Sequence, residues 1–186
     1  DALRGFFEAY KKRADFNHTI FIITGDHSMP EIALQNKIDR YHVPLLIYSS
    51  LLKSPKKFSG TVSHFDVAPS VLAFYRENYQ LKTPSDIAWI GHGLRDKPGP
   101  ATVGIPIMQS KNQLIDYVQG NYHLSGKQLY RLEQLQESAV DQEAMLKKLE
   151  KSFNQFKKGN ATYYKTQRLL PDSVFKKFHS EKTDVR

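Results

Sequence analysis

The segment Thr24-Gly25-Asp26-His27 carries the residue types best suited to chemistry in this 186-residue chain. It follows the apolar run Ile20 to Ile23, which has the composition of a buried parallel strand. Open α/β sheets bind their ligands beyond the carboxyl ends of the strands. A carboxylate followed by an imidazole supplies one oxygen and one nitrogen ligand for a divalent metal. The same residues also allow Gly25-Asp26 to form a turn that His27 caps, so both interpretations stay open.

Three further elements are expected around this segment. Residues Ala2 to Ala14 have one apolar stripe and basic residues at the end, which predicts a helix. The run Val43 to Tyr48 predicts a second strand. The stretch Val67 to Tyr75 has apolar residues at helical spacing, and Asp66 is placed to cap that helix. The N-terminal hundred residues therefore predict a sheet flanked by helices.

The C-terminal part predicts a different architecture. Strands are expected at Gly104 to Met108, Gln113 to Gln119 and Gln128 to Leu132, with turns at Gly120-Asn121 and Ser125-Gly126. A long helix is expected from about Leu135 to Lys157, ending at Gly159-Asn160. The predicted fold class is α/β, with a small antiparallel subdomain. The predicted divisions are 1–100, 101–160 and a basic tail at 161–186.

The amino-acid composition favours some classes of function and argues against others. The chain has 27 basic and 19 acidic residues, a formal net charge of +8 at pH 7, so an anionic partner fits it. Without Cys there is no disulfide, thiolate nucleophile or thiolate metal ligand. No zinc-finger, RNP or P-loop pattern is present, which argues against nucleic acid. No apolar run has the length of a membrane helix.

Several motifs stand in a recognisable order. The TGDH segment is followed by R-x-x-V-P-L-L-I-Y from Arg40 to Tyr48 and by S-H-x-D-x-A-P-S-V-L from Ser63 to Leu72. Ile90 to Leu94 is similar to an F-G-x-x-L segment, and Gln128 to Leu132 is similar to E-L-Y-D-L. Together they resemble the C-terminal half of a sulfatase/alkaline-phosphatase superfamily catalytic domain. The lipoteichoic-acid-synthase and phosphoglycerol-transferase-like branch is the most similar. The resemblance spans roughly Leu3 to Phe153 and includes a partial alkaline-phosphatase-like sheet.

The resemblance implies a metal-dependent enzyme acting on phosphate or sulfate esters of envelope lipids or glycans. Asp26 and His27 would be metal ligands. An imidazole ligand favours zinc or manganese, with magnesium and calcium as alternatives. His64 would contact the anionic substrate, and His92 is a weaker candidate for the same role. Each could instead be structural, His64 as a residue at a helix start and His92 as an exposed side chain between two glycines.

The family's nucleophile and its other acidic ligands have no counterpart before Ile20 in this sequence. Because the chain begins with Asp1 inside a predicted helix, we expect a fragment that is inactive alone, with its nucleophile upstream. The expected partners are the N-terminal part of the same protein and a phosphate- or sulfate-ester substrate. The expected location is extracytoplasmic, in the periplasm or cell envelope, with membrane attachment through the upstream part.

Two other functions stay open at this point. One is a catalytically degenerate relative that keeps the fold and binds anionic glycans or lipids. The other is a basic α/β domain that binds nucleic acid. An upstream Thr, Ser or Cys nucleophile motif would favour the enzyme over the degenerate relative, and salt-dependent DNA binding without a metal effect would favour the third function.

Overall fold

The computed structural model describes residues 1–29, 31–58, 60–83, 89–94, 104–110, 113–133, 136–166, 172–173 and 175–176. The chain forms two compact units. The first comprises residues 1–57 with 135–137, and the second comprises 58–134 with 138–186. The predicted division at residues 100 and 160 stays a prediction. Most of the predicted basic tail lies outside the described residues.

The first unit contains helix α1 (Ala2–Tyr10) and a two-stranded sheet of β1 (Phe21–Thr24) and β2 (Leu45–Tyr48). Short 3-10 turns occupy Phe16–His18 and Lys37–Arg40. The helix is shorter than the predicted span to Ala14, because the chain turns after Tyr10 and the Arg13 guanidinium bonds Asp15.

The aromatic side chains of this unit gather around Phe21. The rings of Phe7 and Tyr10 lie 5.0 Å from it, and Tyr48 lies 6.1 Å away. Phe21 is the only residue of β1 and β2 that is classed as buried, and Leu46 is 56% exposed. This small core therefore depends on aromatic contacts between one helix and one strand pair.

The prediction that β1 is a buried parallel strand is wrong. It pairs antiparallel with β2, with Phe21 opposite Tyr48 and Thr24 opposite Leu45. Burial alternates along the strand: Phe21 is buried and Ile23 half-buried, whereas Ile22 and Thr24 are exposed. A continuous apolar run indicates that a strand can be buried on both faces. It does not predict whether the neighbouring strand runs parallel or antiparallel to it.

The second unit begins with a 3-10 turn at His64–Asp66 that continues into helix α2 (Val67–Tyr79). Asp66 does not cap α2 with its side chain as predicted. It closes a capping box with Ser63 instead, accepting a 2.8 Å hydrogen bond from the Ser63 backbone N–H. The helix ends at Gln80, which adopts the left-handed conformation with φ 51°.

A five-stranded sheet follows, with its strands in chain order and with antiparallel pairing between each neighbouring pair of its first four strands. Its strands are β3 (Ile105–Ser110), β4 (Gln113–Gln119), β5 (Tyr122–Ser125), β6 (Gln128–Glu133) and β7 (Gln136–Ala139). The β4–β5 and β5–β6 turns place Gly120 and Gly126 at φ 61°, which glycine adopts at little cost. The prediction of a small antiparallel sheet with these turns is confirmed.

The long helix α3 (Glu143–Thr166) covers this sheet, and both of its predicted ends are wrong. Residues 136–139 pair as β7 rather than starting the helix, and the helix passes through Gly159 and Asn160. The core comprises Tyr117, Leu124, Leu129, Leu149 and Phe153. A glycine is a frequent helix stop, but here its backbone keeps helical geometry and its Cβ position faces open space.

The predicted α/β class is confirmed, including the antiparallel part with its long helix. Among the described helices, none combines the length and the apolarity needed to cross a membrane.

Candidate functional site

The predicted metal ligands lie on the surface immediately beyond β1. Their side chains are 88% exposed for Asp26 and 63% exposed for His27. Gly25 precedes them where the chain passes close to Val43, and a Cβ there would lie 3.4 Å from the Val43 side chain. The loop is also fixed at Ser28, whose backbone N–H and hydroxyl both donate to the Arg40 carbonyl, at 3.1 and 3.0 Å. Exposed ligand groups thus stand on an anchored loop.

The two side chains face each other. His27 Nε2 lies 3.4 Å from Asp26 Oδ2, and the His27 backbone N–H donates to Asp26 Oδ1 at 3.0 Å. His27 Nδ1 lies 2.8 Å from the Ser28 carbonyl oxygen. Because a carbonyl oxygen can only accept, Nδ1 carries a proton in this contact. In the neutral imidazole the lone pair is then on Nε2, the nitrogen directed at the carboxylate.

This arrangement fits a shared cation. Two donors bound to one ion at about 2.1 Å with tetrahedral geometry lie about 3.4 Å apart, and this pair has that separation. A ligating imidazole commonly donates its other N–H to a carbonyl, which fixes its orientation, as Ser28 does here. Within the described residues, no cluster of three or more His, Cys, Asp or Glu side chains could hold a metal, so the pair supplies at most part of a coordination sphere.

The other two candidates lie in the second unit and are joined through Asp66. His64 is exposed within its 3-10 turn. Asp66 Oδ1 accepts hydrogen bonds from the backbone N–H groups of His92 and Gly93, at 2.8 and 3.2 Å. The side chain of His92 is exposed, and its Nδ1 lies 3.1 Å from the Ile90 carbonyl. The structure therefore brings the His92 segment onto the turn that contains His64.

Ser70 completes this attachment. Its hydroxyl donates to the Asp66 carbonyl at 2.7 Å and accepts from the Leu94 N–H at 2.7 Å. Gly91 is required for the close approach, because a Cβ there would overlap the Phe65 carbonyl group. Asp66 and Ser70 thus position the loop, a role that the sequence interpretation missed. Their i, i+4 spacing at a helix start was the available signal, but their partners lie more than twenty residues away.

A small cleft lies beside this attachment. It has an internal volume of about 30 Å³, and its lining includes Ser63, Asp66, His92 and Gly104. This volume accommodates a water molecule or a single anionic oxygen rather than a whole ester substrate. Asp66 accepts hydrogen bonds from backbone N–H groups at both carboxylate oxygens, so the carboxylate and these N–H groups are committed to each other.

A second Asp–His contact, also missed, lies inside the sheet. His123 Nε2 is 3.1 Å from Asp116 Oδ2, with side-chain exposures of 1% and 0%. Asp116 is on β4 and His123 is on β5, and the His123 ring lies 5.8 Å from that of Tyr130. Both side chains of this pair are therefore almost completely buried, in contrast to those of Asp26 and His27.

The family model for sulfatases matches residues 1–75. That match includes Asp26, His27 and His64, and it stops before His92, the five-stranded sheet and α3. It supports a place for this part of the chain in the sulfatase/alkaline-phosphatase superfamily. Neither the curated proteins nor the solved structures gave a match to the chain.

Proposed function

We propose that the Asp26–His27 pair forms part of the divalent-metal centre of a hydrolase or transferase that acts on phosphate or sulfate esters. The observation that carries the proposal is the 3.4 Å separation of Asp26 Oδ2 and His27 Nε2 on an exposed loop. The Nδ1 proton of His27 is already donated to the Ser28 carbonyl, so Nε2 is the nitrogen available to a metal. The sulfatase-family match over residues 1–75 supports the reaction class at family level.

Each residue has a defined task in this proposal. Asp26 provides a carboxylate oxygen, and His27 provides Nε2. The Ser28 carbonyl holds the imidazole in the tautomer that leaves Nε2 available. The bound metal would act as a Lewis acid that neutralises charge on the non-bridging oxygens of the ester. His64 and His92 are proposed to contact the anionic group of the substrate.

The finer assignments are part of the same proposal. Zinc or manganese is favoured over magnesium or calcium because an imidazole is present. The substrates would be envelope lipids or glycans, acted on outside the cytoplasm by a lipoteichoic-acid-synthase or phosphoglycerol-transferase-like protein. The proposal assigns no nucleophile to this chain, so the segment by itself is expected to be inactive.

Metal content of the intact protein tests the site. We expect Asp26→Ala and His27→Ala each to weaken binding of zinc or manganese by about a hundredfold or more, since each removes a direct ligand. Titration with cobalt followed by absorption spectroscopy provides a second readout, because an imidazole ligand changes the ligand-field bands. The matched control is Asp15→Ala with His18→Ala, an exposed Asp and His on the same unit.

The controls should bind metal as the unchanged protein does. Full metal content in both Asp26→Ala and His27→Ala would refute the assignment. Parallel assays of the intact protein with aryl phosphate, aryl sulfate and phosphodiester substrates separate the reaction classes. Metal binding without turnover of any of them would point to a degenerate binding module.

A further inference from the structure

Helix α3 has two opposite faces of contrasting chemistry. Leu149 and Phe153 are buried against the sheet. On the other side, the spacing of 4, 7 and 7 residues aligns four lysines along one row, and all four are exposed: Lys147, Lys151, Lys158 and Lys165. At 1.5 Å per residue this row is about 27 Å long. The row is a continuous feature of the helix rather than a local cluster.

The positive charge of this lysine row is largely uncompensated. Lys147 pairs with Glu143 at 2.6 Å, but no ion pair involves Lys151, Lys158 or Lys165 in the part of the chain that the structure describes. After Glu150 the helix contains no acidic residue. All charged side chains on the last four turns of the helix are therefore basic, which favours an anionic ligand there.

The same turns extend beyond the core. The cluster of packed apolar side chains reaches only to Phe156, and Lys157 folds back over the Phe153 ring at 4.4 Å. The following segment contains Gly159, Asn160 and Thr162, which are poor helix formers. The hydroxyls of Thr162 and Thr166 bond only to carbonyls of the preceding turn of this helix. The intrinsic helix propensity of these residues therefore contributes little to the stability of the helix beyond the core.

We propose that the lysine row binds a linear polyanion that bears regularly spaced phosphate or sulfate groups. An elongated row of ammonium groups, of which only Lys147 has an ion-pair partner among the described residues, matches successive charges along such a polymer, and binding releases its condensed counterions. An anionic bilayer fits less well, because interfacial helices insert an apolar face and the apolar face of α3 is occupied by the sheet. The lysine row includes neither Asp26 nor His27, and the inference does not depend on the proposed metal centre.

Fluorescence anisotropy of the full chain with labelled polyphosphate and with a labelled sulfated oligosaccharide tests the proposal. The variant carries Lys151→Gln, Lys158→Gln and Lys165→Gln. We expect its affinity to fall about tenfold or more at low salt. The slope of log K against log salt should become shallower by about two, since each lost contact removes about 0.7. The two probes show whether phosphate or sulfate is preferred.

A matched control variant shows whether the affinity depends on the position of the lysines or only on the total charge of the chain. Lys11→Gln, Lys12→Gln and Lys53→Gln together remove the same charge from exposed positions of the other unit and should change the affinity less than about twofold. Equal weakening by both triple variants, or no polyanion binding by the unchanged chain, would overturn the proposal. Lysine-row-dependent binding to phosphatidylglycerol vesicles but not to either polymer would also overturn it, in favour of a membrane surface.

Hydrogen exchange gives a readout that does not depend on affinity. The backbone amides of residues 157–166 should exchange more slowly with the polymer bound, because the ligand holds an extension that the core does not support. Unchanged exchange there at saturating polymer would place the binding site elsewhere and contradict the proposal.

Discussion

One Asp–His pair of this protein lies on the surface and another lies inside a sheet. Asp26 and His27 are neighbours in sequence, 3.4 Å apart, with exposures of 88% and 63%. Asp116 and His123 are on adjacent strands, 3.1 Å apart, with exposures of 0% and 1%. The same two residue types at nearly the same distance thus meet opposite surroundings, and the surroundings decide what each pair can do.

Exposure to solvent distinguishes an Asp–His pair that could bind a ligand from one that is packed in the core. The side chains of Asp26 and His27 are open to solvent, which the proposed metal centre requires because a cation must exchange water for their donor atoms. The buried pair has no such access, because both side chains are almost completely buried, and each group needs polar neighbours to offset its desolvation. A His–Asp contact is therefore informative about function only together with its exposure.

The two units also differ in how completely their apolar side chains are buried. The second unit has a closed core in which Leu149 and Leu129 are 0% and 1% exposed. The first unit buries Phe21 under aromatic rings but leaves Ile22 and Leu46 exposed. Stability should therefore be concentrated in the sheet and α3, whereas the candidate metal ligands lie where substitution costs little.

The largest expected effect comes from breaking the buried pair. His123→Ala should lower the free energy of unfolding by about 3–5 kcal/mol, because it leaves Asp116 buried without this partner. His27→Ala should change it by less than about 0.5 kcal/mol. Urea denaturation measures both. Replacing Asp116 and His123 together by Leu should cost less than His123→Ala alone, and an equal cost would show that packing, not pairing, dominates.

The next effect contrasts two leucines. Leu149→Ala should lower the free energy of unfolding by about 3 kcal/mol, because Leu149 is completely buried and its loss creates a cavity. Leu46→Ala, at a position 56% exposed, should cost less than about 1 kcal/mol. Chemical denaturation followed by circular dichroism compares them. A similar loss in both variants would mean that the first unit is as tightly packed as the second.

The smallest expected effect concerns alkaline pH. Burial raises the pKa of Tyr117 above its usual value, and a hydrogen bond with the Gly104 backbone opposes this in part. The folded state therefore holds the phenol proton more tightly than the unfolded state. Stability from this group is complete below about pH 10 and falls by at most roughly 1.4 kcal/mol per pH unit above it, until the folded-state pKa is passed.

Urea denaturation at several alkaline pH values tests this, with Tyr117→Phe as the reference. The variant lacks the titrating phenol, so its stability should fall less steeply between pH 10 and 11 than that of the unchanged protein. Parallel curves for the two proteins would show that other groups account for the whole alkaline loss.

Local sequence patterns were sufficient to predict much of the secondary structure of the second unit. Strand β4 has the predicted bounds, and Gly120 and Gly126 form the turns that their types favour. The same patterns failed at α3, where Gly159 does not stop the helix and residues 136–139 join the sheet. At the N-terminal end, hydrogen bonding to the neighbouring strand outweighed the local propensity of residues 136–139. At the other end, the helix continues past Gly159 beyond the packed core, and no contact of the described residues explains it.

The candidate site shows the same limit. The types and order of Asp26 and His27 were sufficient to nominate them, because adjacent residues beyond a strand need no tertiary information to be near each other. Their mutual distance, the Ser28 contact that selects Nε2, and the Asp66 attachment of the His92 loop could not be predicted, since rotamers and contacts between distant residues decide them.

The sequence by itself determined the α/β composition, the hairpin positions and the identity of the candidate ligands, because these depend on residue type and short-range spacing. Only the tertiary structure decided that β1 and β2 run antiparallel, that one Asp–His pair is buried while the other is exposed, and that α3 presents its lysine row away from the sheet. The reason is physical: strand direction, burial and desolvation arise from contacts between segments that are distant in the chain.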